Sequence, residues 1–274
     1  MFKIIIMALL IFIGMVGYDN ITDKAQPTTP VQQEQQKVSK HEKSAALALF
    51  TSLLPPKEEW PSPVHKFYLA FNMDEVIDPI RQNPNWTSLD AMSRDIPQAL
   101  IAIEDHGFYN HGAIAVEGIL RAALANINAG EVVQGGSTLT QQFVKNVFLS
   151  HEQSMERKIE EAVLSLMLED NYSKDEILEL YLNTTYFGAG STGIRQASRT
   201  YFGKAPSALT LAEAAVIASL PYAPTGLNPL ENPEGCKKRQ LLVLAAMHKY
   251  GMINQGQLAE AKAEKIRLTN GTVM

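Results

Sequence analysis

Helix punctuation recurs along this sequence while alternating apolar and polar runs are almost absent, and that combination restricts the chain to a mainly α fold. Asp95-Ile96-Pro97 reads as a cap followed by an early proline. Ser173-Lys174-Asp175-Glu176 and Thr210-Leu211-Ala212-Glu213 read as capping boxes, where a hydroxyl and a carboxylate satisfy the free amides of a first turn. Gly135-Gly136-Ser137 reads as a break followed by a cap. Only residues 66–71 alternate as a strand would, and that run is short. The signals predict helices near 95–105, 116–129, 137–149, 154–170, 174–183, 190–201, 210–219 and 233–249.

Ahead of these helices, Ile4 to Gly17 is an apolar run behind one lysine, shorter than the roughly twenty residues that cross a bilayer comfortably. Tyr18-Asp19-Asn20 stands where a small-residue cleavage site would, so residues 1–18 are expected to be an uncleaved membrane anchor followed by an exported chain. Residues 19–44 are rich in Gln, Thr, Pro and Lys and form a flexible linker. Residues 45–87 read as membrane-proximal; the apolar stretch from Ala45, stopped by Pro55-Pro56, suits a core helix or a second, interfacial membrane contact. The folded domain is expected over 88–250, with 251–274 as a C-terminal extension of no separate function.

A composition 46% hydrophobic gives that domain an ample core, and a net charge of −5 argues against nucleic acid as the main partner. The only cysteine, Cys236, cannot form an internal disulfide. His106 and His111 do not have the spacing of a helical metal pair, and no metal site is predicted.

The chemistry concentrates between Ile101 and Glu161, where two separated carboxylate sites flank a glycine-led polar helix. At helical spacing Ser137, Gln141 and Lys145 share one side, while Leu139, Phe143 and Val147 share the packing side. In the next helix Ile159, Ala162, Val163, Leu166 and Met167 make the apolar stripe, with Ser154, Arg157, Lys158 and Glu161 opposite. A helix start after two glycines, a lysine on its exposed face and an Arg-Lys pair nearby are what a phosphate or diphosphate needs. Gly188-Ala189-Gly190-Ser191-Thr192-Gly193 fits a dinucleotide fingerprint, but it follows a helix and no βαβ unit surrounds it. It is read as a mobile or substrate-lining loop.

Four motifs in order carry a resemblance. They are Glu104-Asp105-x-x-Phe108-x-x-His111, Gly136-x-Thr138-x-x-Gln141-Gln142, Arg157-Lys158-x-x-Glu161 and Lys174-x-x-Ile177-Leu178-x-x-Tyr181-Leu182-Asn183. From about Ser88 to Met247 the chain resembles the peptidoglycan glycosyltransferase family 51 domain, found in monofunctional transglycosylases and in class A penicillin-binding proteins.

That resemblance implies a mainly α, lysozyme-like glycosyltransferase domain behind an N-terminal anchor, on the outer face of the bacterial cytoplasmic membrane. It implies inverting polymerisation of lipid II, with the nascent glycan strand, the membrane and other cell-wall synthesis proteins as partners. Glu104 would be the general base on the acceptor's 4-hydroxyl, and Glu161 would assist departure of the diphosphate. Lys145, Arg157 and Lys158 would hold the diphosphate; Arg121, Ser137, Gln141 and Gln142 would line the donor cleft; Asp105, Phe108, His111 and Thr138 complete the substrate-binding motifs. In inverting hydrolases the two carboxylates stand about 6.5 to 9.5 Å apart, and Glu104 and Glu161 are expected at or beyond that range. No cofactor is evident; some members respond to divalent cations, and no ligand set for one is visible here.

The chain departs from the family pattern at Ala113, at Gln153 where many members carry an arginine, and at Lys238-Arg239 in place of Arg-Arg. Neither Ser-x-x-Lys nor Lys-Thr-Gly marks a transpeptidase. Two other readings are a lysozyme-type glycan-cleaving enzyme, which would have no diphosphate for Lys145, Arg157 and Lys158 to hold, and a non-catalytic scaffold that binds lipid II.

Overall fold

Leu211-Ala212-Glu213-Ala214-Ala215-Val216-Ile217-Ala218-Ser219 is apolar almost all round, and a helix of that kind has to lie inside. In the computed structural model, which describes residues 68–69, 72–119, 135–149 and 154–274, it is the central helix. In chain order the helices are α1 (Asp74–Arg81), α2 (Asp95–Glu104), α3 (Leu139–Phe148), α4 (Met155–Asn171), α5 (Lys174–Thr184), α6 (Ile194–Phe202), α7 (Leu211–Ser219), α8 (Pro233–Lys249) and α9 (Gln255–Ala263). Residues 116–119 are helical where the sequence predicts a helix; its remainder, with Arg121, lies outside the described residues, as do Gln153 and the anchor and linker of 1–44. Among the described residues there is no strand, only isolated bridges from Tyr186 to Thr192 and from Arg267 to Val273. None of the described helices is long and apolar enough to cross a membrane.

The chain divides into two compact units, 1–69 and 70–274, and almost all the described residues belong to the second. There α7 packs against both α2 and α8, which also touch each other, because its alanines let neighbouring backbones approach closely. A second layer has α3 against α4 and α5, with α6 bridging α5 to α7. Cys236 is buried where α8 meets α7, its Sγ 3.8 Å from Ser219 Oγ, and burial pushes its thiol up to about 11.

Several boundaries differ from the expected ones. Asp95 is the first residue of α2, not its cap; Arg94 holds the cap position and no side chain caps the helix. Thr138, not Ser137, caps α3: its hydroxyl accepts from Gln141 N while Gln141 Oε1 accepts from Thr138 N. The unit continues past the expected end at 250, since Leu258, Ala261, Ile266 and Leu268 are buried in the common core. Main-chain bonds join Ile266 and Met274 in both directions, at 3.1 and 2.8 Å, and Thr269 N donates to Tyr201 O at 3.0 Å. At the other end Met73 and Ile77 enter the same core.

The glycine-rich loop between α5 and α6 is a closed turn. Gly188 has φ +86°, and a Cβ there would stand 2.2 Å from Pro224 O. Tyr201 Oη donates to Phe187 O at 2.7 Å and Gly193 N to Thr185 O at 2.9 Å, which fixes the loop against its flanking helices rather than opening it to a nucleotide.

Candidate active site

Glu104 ends α2, and the chain turns away at Asp105, which leaves the Glu104 carboxyl facing α3. Gln142 Nε2 donates to Glu104 Oε2 at 3.1 Å, and Gln142 Oε1 accepts from Tyr181 Oη at 3.0 Å. Burial pushes the Glu104 carboxyl above its ordinary pKa; the Gln142 hydrogen bond and the charges of Arg239 and Lys145 pull it down, and Asp105 pushes it up. The site therefore holds a half-buried carboxylate with one amide donor and two cations close by, which suits a base that must ionise where water is scarce.

Asp105 faces the other way and organises structure. Its Oδ1 lies 2.6 Å from His111 Nε2, and its Oδ2 accepts from Leu139 N at 3.0 Å at the start of α3, where a negative charge complements the helix dipole. Thr138 also donates to Ala113 O at 2.8 Å. These contacts bind residues 105–113 to the start of α3 and so fix Gln142 relative to Glu104.

Glu161 is 2% exposed on α4 and pairs with Lys158, whose ammonium also donates to Ser137 Oγ at 3.1 Å. Ser154 caps α4 by accepting from Arg157 N at 3.1 Å. The two carboxylates thus reach one short segment from opposite ends, Glu161 through Lys158 and Ser137 and Glu104 through Gln142. Lys145 is exposed on α3. Among the described residues no group of acidic, histidine or cysteine side chains is arranged to hold a metal ion.

Three residues of the expected substrate-binding motifs also serve the framework. Phe108 is fully buried beneath the Lys174 ammonium, 4.5 Å from its ring centroid. Thr138 and Gln141 are buried and engaged in their capping box, and Ser137 lies ahead of the helix rather than stacked on it with Gln141 and Lys145. The buried face of α4 is offset from the expected one: Glu161, Leu164, Ser165 and Leu168 are buried and Ile159 and Leu166 exposed, while Met167 packs against the core and Ser154 and Lys158 are exposed as expected. A paired carboxylate occupies the inward stripe that periodicity assigned to aliphatic side chains.

Arg239, which the sequence marks only as half of the Lys238-Arg239 pair, acts on Glu104, a role the sequence did not assign to it. It lies on α8 beside the buried stripe of Cys236, Gln240, Val243 and Met247, with its guanidinium 4.1 Å from the Tyr222 ring centroid. An arginine at the margin of a helix's buried face was the available signal. The fourth motif also acquires a physical role. Asn183 donates to Thr87 O and accepts from Thr87 N, at 2.8 and 2.9 Å. Glu179 accepts from Trp86 Nε1 and Leu89 N, at 3.2 and 2.8 Å, so α5 clamps residues 86–89.

Comparison with known families matches residues 73–248 to the family described as Transglycosylase. A Cupriavidus necator protein provisionally named a transglycosylase is 41% identical over 194 residues, 71% of this chain and 84% of that protein. Penicillin-binding protein 1A of Aquifex aeolicus is 44% identical over 64% of this chain, and penicillin-binding protein 2D of Bacillus subtilis 45% identical over 66%. The match spans 24% and 26% of those two proteins.

Proposed function

The chain belongs to the transglycosylase family and acts as a peptidoglycan glycosyltransferase in cell-wall synthesis, and from that premise we propose that it polymerises lipid II into β-1,4 glycan strands with release of undecaprenyl diphosphate. The observation that carries this reading is the half-buried Glu104 carboxyl, held by Gln142 and influenced by Lys145 and Arg239.

Glu104 accepts the proton of the acceptor's 4-hydroxyl as that oxygen bonds to the donor's anomeric carbon. The bond from that carbon to the diphosphate oxygen breaks on the opposite face, which inverts the configuration. A sugar hydroxyl is a poor nucleophile, and a positioned base of this kind contributes about a hundred- to ten-thousandfold. The diphosphate leaves already charged and needs cations more than an acid, the role of Lys145, Arg157 and Lys158. Glu161 holds the Lys158 ammonium at the donor side, with Ser137 beside it. Arg121 belongs to the same donor cleft by resemblance. Asp105 and His111 hold the geometry around the base.

The proposal extends to a single-pass anchor with the catalytic domain on the outer face of the cytoplasmic membrane, and to residues 73–248 polymerising without cross-linking. Lipid II turnover in detergent, followed as polymer on a gel, tests the assignment. Polymer from the wild type and none from Glu104→Gln is the expected result. Polymer from both would remove Glu104 as base, and bound lipid II without polymer from either would favour a scaffold.

A further inference from the structure

We infer that Tyr181 is a positioning residue for the base: by donating to Gln142 Oε1 it fixes which end of that amide faces Glu104, and so which carboxylate oxygen is left for the acceptor hydroxyl. The inference rests on the reading of Glu104 as the base.

A glutamine amide has one end that only donates and one that only accepts. With the Tyr181 phenol donating to Oε1, the NH₂ group is turned onto Glu104 Oε2. The reverse orientation would set two acceptors against each other unless Glu104 carried a proton. The phenol therefore favours the ionised carboxylate and keeps Oε2 occupied, which leaves Oε1 as the oxygen that takes the proton.

The phenol suits this task. Tyr181 is buried, and burial first, with the Glu104 charge second, holds its pKa far above the ordinary value, so it remains a neutral donor wherever the enzyme works. Its orientation is set by α5, whose Glu179 and Asn183 grip residues 86–89 on either side of it in sequence. The charged groups facing Glu104 are Asp105 at the end of α2, Lys145 on α3 and Arg239 on α8, and they act on it through space. The Tyr181 and Gln142 pair acts by direction.

The test is the pH profile of kcat/KM for polymerisation by the full chain in detergent. Tyr181→Phe is expected to move the acid limb to higher pH by about half a unit or more. At neutral pH it is expected to lower kcat roughly three- to tenfold with KM within about twofold. Gln142→Met should give the same displacement, and the double variant no further one. An unmoved limb, or displacements that add fully, would overturn the inference. Should Tyr181→Phe fail to fold by circular dichroism, replacing Tyr181 with 3-fluorotyrosine keeps the shape and strengthens the donor. The limb should then move to lower pH, and an unmoved limb overturns the inference equally. Glu104→Gln is assayed alongside. If it still polymerises, the base assignment falls; if it is inactive while Tyr181→Phe keeps the wild-type profile, only the role of Tyr181 falls.

Discussion

Glu104 sits between opposing influences, burial and Asp105 against an amide and two cations, and each can be removed separately. Arg239 favours the ionised form that the proposed role as base requires, so Arg239→Met is expected to raise the Glu104 pKa. Activity lost on acidification is then lost at higher pH, and kcat/KM at pH 6 should fall more than at pH 8. A loss equal at both values would remove Arg239 from the base's surroundings. Glu104 itself makes a stability prediction. Its folded pKa lies above its unfolded value because burial penalises the charge, so its favourable contribution is complete below the unfolded value and is lost as pH rises through the folded one. Glu104→Gln removes that penalty. It should raise Tm at pH 7, and the gain should vanish below about pH 4. The sequence alone singled out Glu104 and Glu161 as candidates, because each stands inside a motif of adjacent residues. It could not show that Phe108 is buried or that Arg239 comes near Glu104, since both depend on packing between helices remote in sequence.

At the level of helices, the capping box at the start of α3 matters most, because it holds Thr138 and thereby registers Gln142 against Glu104. Thr138→Ala removes the cap and the donor to Ala113 O. It is expected to cost about 1–2 kcal/mol, or roughly 2–8 °C in Tm, while KM for lipid II stays unchanged. A raised KM with an unchanged Tm would return Thr138 to the substrate. Helix starts were largely legible in the sequence: Ser173 with Glu176 and Thr210 with Glu213 form the boxes their spacing predicts. Their partners lie three residues away, so the boxes close locally even though Arg81 and Glu264 also reach Glu176 and Thr210. The faces of α4 were not legible, because burial of Glu161 depends on Lys158, and Lys158 in turn reaches Ser137 on another segment.

Across the whole molecule, the residues after 250 complete the core. Ile266 is 1% exposed, and Ile266→Ala is expected to cost about 2–4 kcal/mol, read as a lower urea midpoint with an unchanged slope. An unchanged midpoint would make these residues the separable extension expected from the sequence. The burial of Cys236 gives the protein a chemical clock for its own opening. It is the chain's single thiol, it lies sealed where α7 meets α8, and its raised pKa leaves almost no thiolate at neutral pH. An aromatic disulfide reagent can then modify it only during excursions that part those two helices, one mixed disulfide per excursion captured. Release of the coloured thiol would report how often the centre of the fold comes apart, in the native chain and without an introduced probe.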